Sequence, residues 1–133
     1  MMVVVDTSAL LRLFIPDGPI PEGMESAFRE SERGNDMLLA PELLIAEAAQ
    51  VLLKKKNQGL LSSQEMEDLL DSITSLPIRL FSHKPLIQRA SKVAQEYKIT
   101  VYDALFLTLA EQKGARLITA DRVLQKAALK INL

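Results

Sequence analysis

Residues 2–5 read Met-Val-Val-Val, apolar at every position and β-branched at three. Side chains along a strand alternate between its two faces. A run that is apolar on both is therefore a strand covered on both, as in a parallel sheet packed between helices. The segments "MLLA" (37–40), "IRLF" (78–81) and "RLIT" (116–119) are further short strands of this kind, and "LKINL" (129–133) is a possible fifth at the edge. Helical segments lie between them. The first, 8–15, stops before Pro16. A second covers about 22–34 and ends at Gly34. A third, about 42–57, is opened by Pro41 and followed by Gly59. Ser62 and Glu65 carry the spacing of a capping box and start a helix over 63–75. Residues 84–98 and 103–113 form two more, and Asp121 begins a short last one. Strands alternating with helices imply an α/β fold: a three-layer α/β/α sandwich with a mostly parallel sheet of four to five strands.

The 133 residues suit a single domain, 1–133. Hydrophobic residues make up 48% and charged ones 25%, which excludes a disordered chain. No apolar run approaches the roughly 20 residues of a membrane span. The start lacks the basic stretch and cleavage site of a secretory signal, so a cytoplasmic protein is expected. Cysteine is absent and His83 is the single histidine, which removes disulfides, thiol chemistry and tetrahedral zinc.

The acids fall in a pattern. Ligands of such sheets bind at the carboxyl ends of the strands. Asp6 directly follows the first strand, and Asp121 follows the fourth with only Ala120 between. A helix of about 11 residues descends roughly 16 Å. A strand of about 5 residues climbs back the same distance. Asp103, which opens the helix before the fourth strand, is thus expected level with Asp121. Glu47 shares a helix face with Leu43, Leu44 and Val51, so a carboxylate points where the apolar residues point. Asp6, Asp103 and Asp121 are each also good N-caps, and an ion pair from elsewhere would explain Glu47. A shared divalent cation serves all four acids at once. An all-oxygen donor set suits Mg²⁺ or Mn²⁺, as one or two ions, and hydrolysis of a phosphodiester. Ser8 and Thr119, beside the acids, are either partners of a water or phosphate or local turn residues.

Net charge is −1, from 16 basic and 17 acidic residues. With four acids committed to a cation, 13 remain against those 16, which leaves a basic surface. Arg12 and Arg122 lie close in sequence to Asp6 and Asp121. Lys54–Lys56 reads as a solvated helix end.

Four segments, "VVVDTSALL" (3–11), "APELLIAEAAQVL" (40–52), "VYDALFLTLA" (101–110) and "LITAD" (117–121), together resemble the PIN-domain nucleases, in particular the VapC-type toxins of toxin–antitoxin pairs. The resemblance covers the whole chain. It implies a Mg²⁺- or Mn²⁺-dependent ribonuclease with Asp6, Glu47, Asp103 and Asp121 at the family's acidic positions and Ser8 and Thr119 at its polar ones. It also implies an RNA substrate, a cognate VapB-type antitoxin and a homodimer. For that RNA, Arg12 and Arg122 are the candidate binding residues, and Tyr102 reads as a packing residue rather than one that stacks on a base. Apolar residues at Met24, Phe28, Met37, Met66, Leu69 and Leu70 would serve a dimer interface or an ordinary core. One departure stands out. Many relatives carry a further acid shortly after the last aspartate, whereas "DRVLQK" and all that follows it here have none. A PIN-fold binding module without catalysis, or another metal-dependent phosphoryl-transfer enzyme, is therefore the alternative.

Overall fold

The computed structural model describes every residue except Asn132. In chain order the elements are β1 (Met2–Val5), α1 (Thr7–Leu11), α2 (Met24–Glu32), β2 (Met37–Pro41), α3 (Leu43–Asn57), α4 (Ser63–Thr74), β3 (Ile78–Phe81), α5 (Ile87–Tyr97), α6 (Val101–Lys113), β4 (Arg116–Ile118) and α7 (Arg122–Lys130). The four strands form one sheet in the order β3-β2-β1-β4, every neighbouring pair parallel. Val3, Val4 and Val5 are all buried, as are Leu38, Leu39 and Ala40. Successive strand residues face opposite ways, so both faces of the sheet are covered and the architecture is three-layered.

Helix α6 runs beneath the sheet, touching β1, β2 and β4, and is buried through its middle. Its residues from Ala104 to Ala110 are all buried, which is why this stretch shows no amphipathic period. Among the described residues, Thr108 Oγ1 is a buried side-chain oxygen with no hydrogen-bond partner. Removing an orphaned polar group recovers its desolvation cost. Thr108→Val keeps the β-branch and helix propensity. It is expected to raise stability by about 1 kcal/mol, read as a higher urea midpoint with an unchanged slope.

Several element ends differ from the sequence expectation. Leu129 and Lys130 close α7, so the fifth strand does not form there; Asn132 lies outside the described residues. Pro41 ends β2 instead of opening α3. The α3 terminus is held by His83, whose Nε2 accepts a hydrogen bond from Leu43 N–H at 3.1 Å. Thr100, not Asp103, caps α6, accepting from Asp103 N–H at 3.0 Å. Lys98 ends α5 with φ of +56°, a position usually left to glycine. The Ser62–Glu65 capping box forms as expected. Met24 is fully buried, and Phe28, Met66, Leu69 and Leu70 pack against the core, leaving Met37 as the one of these six that is mostly surface. Among the described residues no helix is long and apolar enough to cross a membrane.

Candidate active site

The chain runs outward from β1 to β2 to β3, then returns past β1 to lay down β4 on its other side. That reversal opens a crevice at the carboxyl ends of β1 and β4, where open α/β sheets bind ligands. Val5 pairs with Ile118, and Asp6 N–H donates to Ile118 C=O at 3.1 Å. Asp6 and Thr119 therefore leave the sheet side by side. A cavity of about 200 Å³ lies there, lined by Asp6, Glu47, Asp103 and Asp121, with Thr7 and Ser8 among its other walls.

Asp6 is buried. Its Oδ1 accepts from Ala9 N–H at 2.9 Å, so it does cap α1. The same oxygen accepts from the Ser8 hydroxyl at 2.8 Å, and Oδ2 accepts from the Thr119 hydroxyl. Those hydroxyls are themselves held: Ala120 N–H donates to Ser8 Oγ and Asp121 N–H to Thr119 Oγ1. Ser8 and Thr119 are thus relays that tie the loop after β4 to the acid after β1. Asp121 caps α7, accepting from Leu124 N–H at 3.0 Å. For Asp6 and Asp121, capping and a place in the shared cavity coexist.

Glu47 sits on α3, half-buried, and its Oε1 accepts from the Thr7 hydroxyl at 2.7 Å. That contact joins α1 to α3, and nothing in the order of residues signalled Thr7. Glu47 takes part in none of the ion pairs found among the described residues.

The electrostatics record the crowding. Burial, opposed by the bonds from Thr119, Ala9 and Ser8 and reinforced by the charge of Asp103, pushes Asp6 from 3.8 up to about 6. Glu47 is raised by burial and by Asp103, against the Thr7 bond. Asp103 is raised by burial and by Asp121, against Thr100. The acids feel one another, yet among the described residues no three acidic or imidazole groups stand close enough to form a ready-made metal cluster. Clustered carboxylates repel one another, and a bound cation offsets that repulsion. Each carboxylate keeps lone pairs to offer, since two oxygens provide about four acceptor sites. The donor set is all oxygen and fits a hard divalent cation.

Arg12 and Arg122 come together too. Both line a second cavity, of about 300 Å³, along with Pro19 and Ala120. Arg12 Nη1 donates to Pro19 C=O at 2.9 Å, and Gly18 leaves it room, since a Cβ there would lie 2.6 Å from that nitrogen. Arg122 and Ala120 flank Asp121 of the acidic cavity in the chain. Lys54–Lys56 occupy the last turn of α3 as expected. Tyr102 is not a packing residue: it is 61% exposed.

Known proteins share this arrangement of chain. A family model described as PIN domain matches residues 3–130. Ribonuclease VapC3 of Pyrobaculum aerophilum is 32% identical over 126 residues, 93% of this chain and 92% of that protein. Ribonuclease VapC12 of Mycobacterium tuberculosis is 32% identical over 120 residues, 90% and 87% of the two. The crystal structure of PAE2754 from Pyrobaculum aerophilum aligns with a TM-score of 0.72 at 27% identity, over 96% of this chain and 84% of that one. Mycobacterium tuberculosis VapC20, a toxin that cleaves the sarcin-ricin loop, shares the fold with a TM-score of 0.67 at 15% identity, over 94% of each chain. With the family model spanning nearly the whole chain and VapC relatives aligned over most of it, this chain belongs to the PIN domain family and is of the VapC type.

Proposed function

We propose that this chain is an endoribonuclease dependent on Mg²⁺ or Mn²⁺, the toxin of a pair whose other member is a VapB-type antitoxin. In this reading it is a single domain, 1–133, acting in the cytoplasm as a homodimer. The observation that supports it most is the meeting of four acids, from four separate elements, in one cavity of a VapC-type chain. A divalent cation, one or two per site, held by Asp6, Glu47, Asp103 and Asp121 would supply positive charge against a phosphodiester and bring a water's pKa toward neutrality.

The remaining work falls to the chain's own residues. Ser8 and Thr119 hold the Asp6 carboxylate, and Thr7 holds that of Glu47. The rotamers of two acids are set in this way before substrate arrives, as preorganised catalysis requires. Arg12 and Arg122 offer guanidinium groups to RNA phosphates flanking the cut, by charge-assisted hydrogen bonds.

RNA cleavage should vanish in EDTA and return on adding Mg²⁺ or Mn²⁺, and calorimetry should register Mn²⁺ binding tighter than about 1 mM. An undiminished rate in EDTA would remove the metal from the mechanism. A second reading, a PIN-fold binding module without catalysis, draws on the lack of any acid after Asp121 and on the spacing of the four acids. A protein that neither cleaves RNA nor binds Mn²⁺ would favour that reading.

A further inference from the structure

A third concave patch lies beside the acids. It has a volume of about 240 Å³ and is lined by Leu43, Ala46, Glu47, Gln50 and Tyr102. Residues 43, 46, 47 and 50 follow the i, i+3, i+4, i+7 spacing, so they form one stripe of α3. That stripe is separate from the row Leu44, Ala48 and Leu52, which α3 buries in the core. Tyr102 stands opposite on the first turn of α6, 61% exposed. Glu47 belongs to both this patch and the acidic cavity, and Tyr102 precedes Asp103 in the chain. The patch is thus continuous with the acidic cavity.

Each lining group suits a nucleobase. An exposed aromatic ring beside apolar side chains is a stacking platform, and base–aromatic stacking is the main attraction of single-stranded RNA for such surfaces. The Gln50 amide carries both donors and an acceptor able to read a base edge. The volume is below that of a typical drug-sized pocket, which fits one heterocycle.

We propose that Tyr102, with Leu43, Ala46 and Gln50, forms the pocket for an unpaired base of the RNA next to the cut, and that it sets base preference there. This rests on the nuclease reading of the adjoining acids. The substrate then spans the Tyr102 patch and the acids, which share Glu47.

The test compares parent, Tyr102→Ala and Tyr102→Phe in steady-state cleavage of single-stranded RNA with Mn²⁺. Loss of stacking is expected to raise KM about 5- to 100-fold. A kcat within about twofold of the parent is expected, since the lost contact is uniform binding. Tyr102→Phe should recover the parental KM, and Gln50→Ala should change which base flanks the cut. A parental KM and base preference in Tyr102→Ala would overturn the pocket while leaving the nuclease reading intact. A shift from dimer to monomer in sedimentation, at unchanged KM, would overturn it in favour of a contact between copies of this chain. If the parent cleaves no RNA, binding decides. Tyr97 and Tyr102 are the two tyrosines and tryptophan is absent, so a Tyr97→Phe protein fluoresces from Tyr102 alone. Quenching by a short single-stranded RNA would support the base pocket independently of catalysis, and no quenching would overturn both.

Discussion

Asp103→Asn is expected to lose RNA cleavage by more than about 100-fold, beyond the roughly 10- to 100-fold that removing a supporting residue of a metal site costs. The same protein should melt within a few degrees of the parent. Asparagine is nearly isosteric, and Thr100 rather than Asp103 makes the cap of α6. The carboxylate does meet the helix dipole in the first turn, worth about 0.3–1 kcal/mol. Its removal also relieves the repulsion from Asp121 and the burial that raise its pKa. These opposing effects leave little net change in stability. Cleavage assays beside thermal melts separate the outcomes: a parental rate would exclude Asp103 from the chemistry, and a collapsed melt would make it structural.

The second large effect is on stability and depends on pH. In the metal-free protein Asp6 has a folded pKa of about 6 against an ordinary 3.8. Between those values the folded chain holds a proton that the unfolded chain has released, so stability falls as pH rises through the window and stays low above it. At about 1.4 kcal/mol per unit, the full cost above pH 6 is on the order of 3 kcal/mol. Asp6→Asn carries no charge to bury. Its amide oxygen can still accept from Ala9 and Ser8, and its amide N–H can donate to the Thr119 hydroxyl. Melting in EDTA should therefore show the variant more stable than the parent by several degrees at pH 8, converging with it near pH 4. A difference independent of pH would mean that burial of the Asp6 charge is not the cause. Activity should be lost in the same variant, the familiar opposition between a working site and a stable one.

Much of the fold was legible because its signals are local. Val3 to Val5 announced a strand covered on both faces, and Ser62 with Glu65 announced a helix start. Where local signals misled, a partner from elsewhere had taken over. Pro41 read as the opening of α3, yet it completes β2 by pairing with Phe81, and the free N–H of Leu43 goes to His83. Asp103 read as a cap, but Thr100 three residues earlier is better placed, and the helix begins at Val101. The last residues read as an edge strand, whereas Leu129 and Lys130 extend α7. Tyr102 reads as packing because aromatic residues usually bury their rings. Its exposure follows from the rotation of α6, whose buried residues begin only at Ala104.

By itself the sequence determined the layered α/β architecture, the three aspartates at the starts of helices and the glutamate on an apolar helix face. Apolar period, capping residues and Gly or Pro punctuation act within a few residues, and element lengths then fix which end each acid occupies. Only the tertiary structure decided which groups hold those acids, that Arg12 and Arg122 share a cavity, and that Tyr102 faces outward beside the site. Thr7 and Glu47 are 40 residues apart, and Thr119 and Asp6 are 113 apart. Contacts at such separations depend on how whole elements pack against one another, and no local pattern of residues encodes that.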